Sequence, residues 1–176
     1  MYYTHYQSPI GLLTIASNGQ QITGLWMEGQ KYFRSTMPES ALEMSALPLF
    51  TTAISWLEDY FHGNNPDLSV LPLQPNGTPY QQIVWAALQE IPYGMTCTYG
   101  CLAKRVEEQT GARTSARAVG NAAGRNPISI LIPCHRVVGK GQKLTGYAGG
   151  IDRKTFLLHL ERQSTQPLRH TAPSRN

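Results

Sequence analysis

The sequence predicts an α+β protein, with a small N-terminal sheet covered by a helix and a mainly helical, helix-turn-helix or winged-helix-like C-terminal part. Three observations predict it. Apolar runs flank an Asn-Gly pair near the start, apolar residues recur at three- and four-residue steps over 47–61, and from Thr78 onward short helical stretches alternate with glycine and proline stops.

The first element is a hairpin. Gly11-Leu12-Leu13-Thr14-Ile15-Ala16 and Gln21-Ile22-Thr23-Gly24-Leu25-Trp26 lie on either side of Asn18-Gly19, whose residues tolerate the left-handed backbone of a tight turn. Leu47, Phe50, Ile54, Leu57 and Phe61 then trace one face of a helix that stops at Gly63-Asn64 and covers the sheet. Pro66 to Pro79, with four prolines and Asn76-Gly77, reads as a linker. Thr78 and Pro79 open the next helix as cap and first residue, Ile83, Val84, Ala87 and Leu88 form its buried side, and Ile91-Pro92-Tyr93-Gly94 ends it. A further helix fits Tyr99 to Glu107. Glu108 to Arg113 reads as a polar turn, and a third helix runs from about Thr114 to Ala123 with Gly124 as its cap. Two short helices joined by a glycine-containing turn make a helix-turn-helix candidate, here with a longer connection than usual.

Ile128 to Ile132 reads as a buried strand delivering Cys134 and His135 at its end. Gly139 to Lys143 is a loop, and Thr145 to Gly150 is glycine-rich with room beside it. Asp152 caps a last helix with Phe156, Leu157 and Leu160 inside and Glu161 near its end. From Gln163 the chain is polar and expected to be disordered. The expected division is a supporting unit over 1–76, a functional unit over 77–163 and a tail over 164–176.

Composition bounds the function. A chain of 176 residues with 41% hydrophobic content can bury a core, which excludes collagen-like, coiled-coil and wholly disordered readings. No apolar run approaches the roughly 20 residues that span a bilayer, and Met1 to Pro9 lacks the basic-then-apolar pattern of a secretory signal. A soluble, cytoplasmic, monomeric protein without a membrane partner is expected. Cys97, Cys101 and Cys134 are too few for a disulfide scaffold and should remain thiols. Without a neighbouring histidine, Cys97 and Cys101 make a weak zinc site and suit core packing better.

The formal net charge of +4 conceals an asymmetry. Residues 1–80 hold two bases, Lys31 and Arg34, against six acids, whereas residues 81–176 hold thirteen bases against five acids. The second half has the electrostatic footprint of a polyanion binder, which alone fits DNA, RNA or an acidic protein equally. Within it, Thr114-Ser115-Ala116-Arg117-Ala118-Val119-Gly120-Asn121-Ala122-Ala123 carries almost only small side chains around Arg117. Such a helix suits close approach to a narrow minor groove better than reading bases across a wide major groove; it equally suits alanines packed on a neighbouring helix with Arg117 solvated.

Cysteine attacks as thiolate, so a reactive one needs a neighbouring base, cation or helix N-terminus. His135 and Arg136 follow Cys134 directly. On an extended strand adjacent side chains point apart, so a water or a turn after Pro133 is needed to connect thiol and imidazole, and Glu161 is the best carboxylate in this half to orient the histidine. A structural cysteine beside a surface histidine fits the pair alone as well.

The order Arg117-Ala118-Val119-Gly120, Asn126-Pro127, Ile132-Pro133-Cys134-His135-Arg136-Val137 and Gly146-Tyr147-Ala148-Gly149-Gly150 resembles the O6-alkylguanine-DNA alkyltransferases, and their small bacterial forms most closely. The Pro-Cys-His-Arg-Val block is highly specific to that family. The likeness is strong over Thr78 to Arg162 and extends to general layout over 1–75. It implies irreversible, single-turnover transfer of an alkyl group from O6-alkylguanine in double-stranded DNA to Cys134, with no metal and no organic cofactor. It further implies that His135 acts through a water as base and that Glu161 holds the histidine's tautomer. Tyr99 rotates the phosphate and hydrogen-bonds the flipped base, Arg117 fills the gap left in the duplex, and Asn126 ties the hinge between helix and active-site strand. Tyr147 stacks near the guanine, the Val137 backbone reads its edge, and Ala148 and Arg136 complete the DNA-binding set. The small residues Gly146, Ala148, Gly149 and Gly150 suggest a pocket open to alkyl groups larger than methyl, with O4-alkylthymine as a second base. The competing readings are a non-catalytic alkyltransferase-like or helix-turn-helix DNA-binding protein, against which the presence of Cys134 argues, and a cysteine hydrolase.

Overall fold

The computed structural model describes residues 1–165. Strands β1 (Tyr2–Ser8), β2 (Gly11–Ser17) and β3 (Ile22–Met27) form an antiparallel meander, and β4 (Leu42–Glu43) joins β1 in parallel, giving the order β3-β2-β1-β4. The β2–β3 hairpin stands where Asn18-Gly19 predicts. Asn18 Oδ1 accepts from the backbone N–H of Gln20 and of Gln21, both at 2.9 Å. Strand β1 was not expected, because it has no apolar run. Its period of two is instead carried by buried Thr4 and Ser8 alternating with exposed His5 and Gln7.

Helix α1 (Pro48–Phe61) begins with proline at its first position and lies over the sheet, as predicted. Its buried face is Phe50, Ala53, Trp56, Leu57 and Tyr60, so the stripe is rotated away from Ile54 and Phe61. The rotation follows the aromatics: Trp56 and Tyr60 stack at 5.5 Å and turn toward the second half of the chain. The proline-rich segment is no free linker, because Ile22 N–H donates to Pro72 O and Gln74 N–H to Ile22 O, each at 2.8 Å.

In the second half, α2 (Pro79–Gln89) opens on a capping box in which Thr78 and Gln81 bond each other's backbone N–H with their side chains. Helix α3 (Tyr99–Thr110) outlasts the predicted end at Glu107 and stops on left-handed Gly111 at φ +69°. Helix α4 (Ala116–Gly124) is capped by Ser115. Gly124 is its last residue and Arg125, at φ −98°, takes the place of the left-handed cap that the sequence suggested. Val119, Ala122 and Ala123 are buried, and Trp85 Nε1 donates to Ala122 O at 2.9 Å, locking α4 to α2. Ala122 and Ala123 therefore pack on a neighbour, while Ala116 and Arg117 stay exposed.

The predicted strand Ile128 to Ile132 is a buried turn. Ile130 has φ +71°, costly for a β-branched residue, and only an isolated parallel bridge joins Ile128 to Leu25. Leu25 N–H donates to Pro127 O at 2.8 Å and Ser129 N–H to Leu25 O at 2.9 Å, so the outer edge of β3 holds this turn by its main chain. Strands β5 (Cys97–Thr98) and β6 (Val137–Val138) pair in parallel beside the helices, and the expected loop turns through left-handed Gly141 (φ +69°) and Gln142 (φ +62°).

Helix α5 (Ile151–Thr165) runs beyond Gln163, so the first residues of the expected tail are helical; residues 166–176 lie outside the described residues. Asp152 sits within its first turn rather than before it. The inner side is Lys154, Leu157, Leu158 and Glu161, and Phe156 is 39% exposed. Cys97 is buried but Cys101 is exposed, which corrects its assignment to the core. One contiguous apolar cluster unites both halves, from Leu13, Leu25, Met27 and Leu57 to Val84, Ile128, Ile132, Val137 and Leu157. Among the described residues no helix is long and apolar enough to cross a membrane.

Candidate active site

Pro133 makes the chain turn. Its φ of −82° and ψ of 59° close a three-residue turn in which Cys134 N–H donates to Ile132 O at 2.8 Å, and Cys134–Arg136 forms one turn of 3₁₀ helix. The extended geometry that would have parted Cys134 from His135 is therefore absent. Asn126 braces this turn from inside. Its Nδ2 donates to Ile132 O at 2.8 Å and approaches Cys134 Sγ at 3.2 Å, while its Oδ1 accepts from Ile128 N–H at 2.9 Å.

His135 is completely buried, and Glu161 of α5 reaches it with Oε1 at 2.7 Å from Nε2. An ionised carboxylate only accepts, so Nε2 carries the proton and Nδ1 is the basic nitrogen. Nδ1 is buried and has no hydrogen-bond partner among the described residues. Burial holds the His135 pKa below the usual value, although Glu161 opposes this, so the ring is neutral and able to accept a proton near pH 7. Burial raises Glu161, but its bonds to His135 and Arg136 outweigh that and bring it down to about 2.

Arg136 points inward. Its Nε donates to Glu161 Oε2 at 2.9 Å, its Nη2 to Oε1 at 3.1 Å and its Nη1 to Ile91 O at 2.6 Å. A guanidinium occupied in this way is a brace for the carboxylate, which corrects its place among the DNA-binding residues. Gly94 N–H adds a bond to Glu161 Oε2 at 3.0 Å.

Burial also raises the Cys134 thiol pKa, opposed by the Asn126 bond and the charge of Lys154. Lys154 escaped the sequence reading. It is completely buried, and Nζ donates to Val137 O at 2.5 Å, Thr145 O at 3.1 Å and Gly146 O at 3.5 Å. Burial lowers its pKa to about 8, with Cys134 pulling the other way. The Val137 carbonyl, part of the backbone expected to read the guanine edge, accepts from Lys154. The signal was present in the spacing: Lys154, Leu157, Leu158 and Glu161 stand at i, i+3, i+4 and i+7, which puts two charges on a buried stripe.

Arg117, Tyr99, Tyr147 and Ala148 come together around one open cavity of about 590 Å³, joined by Lys31 and Tyr32 from the first half of the chain. The Tyr99 hydroxyl donates to Gly146 O at 3.1 Å and Thr145 O at 3.2 Å, and Ala148 O accepts from Lys31 N–H at 2.9 Å. The Tyr147 hydroxyl is buried without a partner among the described residues. Gly149 does not open the cavity. A Cβ there would lie 2.6 Å from Met27 Sδ and 2.7 Å from the Tyr147 ring, so this glycine is required for packing.

The arrangement provides a nucleophile, a neutral base with an oriented tautomer, a buried cation and an adjoining basic, aromatic-lined cavity. Comparison with known proteins agrees in both halves. Residues 79–163 match the model of the 6-O-methylguanine DNA methyltransferase DNA-binding domain, and residues 1–75 match that of the ribonuclease-like domain of the same methyltransferases. The methylated-DNA–protein-cysteine methyltransferase of Haemophilus influenzae is 45% identical over 162 residues, covering 92% of this chain and 87% of that protein. The protein of that name from Methanosarcina acetivorans is also 45% identical, over 92% of this chain and 98% of its own. Among solved structures, Mycobacterium tuberculosis OGT in complex with DNA superposes with a TM-score of 0.80 at 43% identity, over 93% of this chain and 94% of that one.

Proposed function

The chain belongs to the 6-O-methylguanine DNA methyltransferase family, and from that premise we propose that it repairs DNA directly, transferring an alkyl group from O6-alkylguanine to Cys134. The observation that carries this reading is the buried His135–Glu161 pair next to Cys134 in the chain, in a molecule whose cavity bears Arg117, Tyr99 and Tyr147.

The O6 substituent of a paired guanine lies inside the stack, so the nucleotide must be flipped before in-line attack, at a cost of a few kcal/mol. Arg117, exposed on α4, is the wedge that fills the gap. Residues 77–163 form the DNA-binding and alkyl-acceptor unit and residues 1–76 support it. The Cys134 proton passes through a water to His135 Nδ1, whose tautomer Glu161 holds. Sγ then bonds to the alkyl carbon, the carbon–O6 bond breaks, and the bond pair leaves with the guanine, where Tyr99 supplies a proton. Asn126 and Lys154 stabilise the thiolate before attack, by a hydrogen bond and by charge. The product is a thioether without a carbonyl for water to attack, so each molecule, acting as a monomer, reacts once.

The test is incubation with a duplex carrying labelled O6-methylguanine. Label should move to Cys134 until it is stoichiometric with protein, and Cys134→Ala should keep DNA affinity while losing transfer. Release of label with turnover, or no transfer at all, overturns the reading. Rates for methyl, benzyl and O4-methylthymine substrates measure how widely the cavity accepts adducts.

A further inference from the structure

Among the described residues, the side chain of the N-terminal half that bonds directly to the His135–Glu161 pair is that of Tyr60. Tyr60, near the end of α1, has no solvent exposure. Its hydroxyl donates to Glu161 Oε1 at 2.7 Å and lies 3.4 Å from His135 Nε2. The ring is fixed on three sides: stacked on Trp56 at 5.5 Å and edge-on to Phe61 at 5.4 Å and to Tyr93 at 6.0 Å. A tyrosine wedged in this way cannot swing aside without unpacking α1.

Among the described residues, Glu161 Oε1 therefore accepts from Tyr60 Oη, His135 Nε2 and Arg136 Nη2. They share the electron density of one oxygen. Each bond drawn to it weakens its pull on the histidine N–H, and with that its stabilisation of an imidazolium. The hydroxyl is a permanent donor here, because burial first and Glu161 second keep it protonated well above the ordinary tyrosine range.

We propose that Tyr60 is a positioning residue for alkyl transfer: its hydrogen bond to Glu161 limits how basic His135 becomes, so that the imidazole remains a neutral acceptor for the Cys134 proton. The inference rests on the functional reading above and deepens it. The acidic half of the chain then contributes to the chemistry itself as well as to support.

The test uses the full chain with Tyr60→Phe, which keeps the ring and its aromatic neighbours. The His135 ring carbons are followed by NMR against pH without DNA, and alkyl transfer from an O6-methylguanine duplex is timed across the same range. Loss of the hydroxyl should move the His135 midpoint upward by roughly half a pH unit, as expected when a competing donor leaves its carboxylate, and the acid limb of the transfer rate should move with it. A purely structural role predicts a lower melting temperature with an unchanged midpoint, and an unchanged midpoint in the folded variant overturns the proposal. Trp56→Phe disturbs the same packing without touching the hydroxyl and should leave the midpoint in place; an equal shift there overturns the proposal too. If the wild-type chain titrates as described yet transfers no alkyl group, the functional reading has failed and the role of Tyr60 toward His135 stands.

Discussion

Replacing Arg136 by methionine separates a brace from a DNA contact. Methionine preserves most of the stem and removes the guanidinium, and with it two bonds to Glu161 and one to Ile91 O. Removing one partner of a buried ion pair leaves the other charge uncompensated and costs about 3–5 kcal/mol. Arg136 retains 11% side-chain exposure while Glu161 has none, and Gly94, His135 and Tyr60 still bond the carboxylate, so the lower end, about 3 kcal/mol, applies. For a chain of this size that is a fall in melting temperature of roughly 6–12 °C. Arg136 lowers the pKa of both His135 and Glu161, so its loss raises both and shifts the acid limb of alkyl transfer to higher pH. Calorimetry and the pH profile of transfer read these effects, and DNA affinity is measured against salt. A bond to a phosphate contributes a slope of about 0.9 in log affinity against log salt. Arg136→Met should leave that slope unchanged. A melting temperature within a degree or two of wild type, together with a slope reduced by about one contact, would refute the inward brace and return Arg136 to the DNA surface.

Arg117→Ala should slow repair in duplex DNA much more than in single strands, since only the duplex must be opened; equal slowing in a single-turnover assay contradicts the wedge. Lys154→Met removes the buried cation that lowers the Cys134 pKa, so the pH at which the thiol becomes reactive should rise; thiolate absorbance or pH-dependent alkylation of Cys134 shows it, and an unmoved midpoint counts against electrostatic support. Stability should fall on acidification in two stages. His135 has a folded-state pKa below 6.5, so the unfolded chain takes up its proton first and stability declines as pH drops below 6.5. Glu161 is lowered from 4.5 to about 2, so its contribution, of order 3 kcal/mol, is present above 4.5 and is lost between there and 2. Urea denaturation at successive pH values checks both stages, and a flat profile from neutral to pH 3 contradicts the pairing.

Local signals told most about the fold. Asn18-Gly19 located the hairpin, Thr78-Pro79 opened α2, and Gly111 lay within the turn that ends α3, because capping and turn chemistry act over three or four residues. Segments decided by distant partners misled. Ile128 to Ile132 has the composition of a strand, yet finds one β3 residue to bond and folds back over Asn126. β1 has too few apolar residues to announce itself and is held by β2. At the site, Cys134, His135 and Glu161 could be named from chemistry and family likeness. Arg136 could not be oriented, because a basic residue beside a nucleophile suits a phosphate or a buried carboxylate equally. Tyr60 stands outside the stripe of Leu47, Phe50, Ile54, Leu57 and Phe61 that the sequence marks, and its partner Glu161 lies beyond the reach of local pattern.

The edge of β3 has a consequence for how the molecule is made. The turn that presents Cys134 is bonded to Leu25, and the segment before α2 is bonded to Ile22, so two stretches far apart in sequence complete the same strand edge. Closing loops of that length is entropically costly and comes late. A nascent chain can form the meander early, but Cys134 has no finished setting until α5, which carries Lys154 and Glu161, has been synthesised. The two halves should accordingly melt in one cooperative transition, and a reagent that can be spent only once is assembled last.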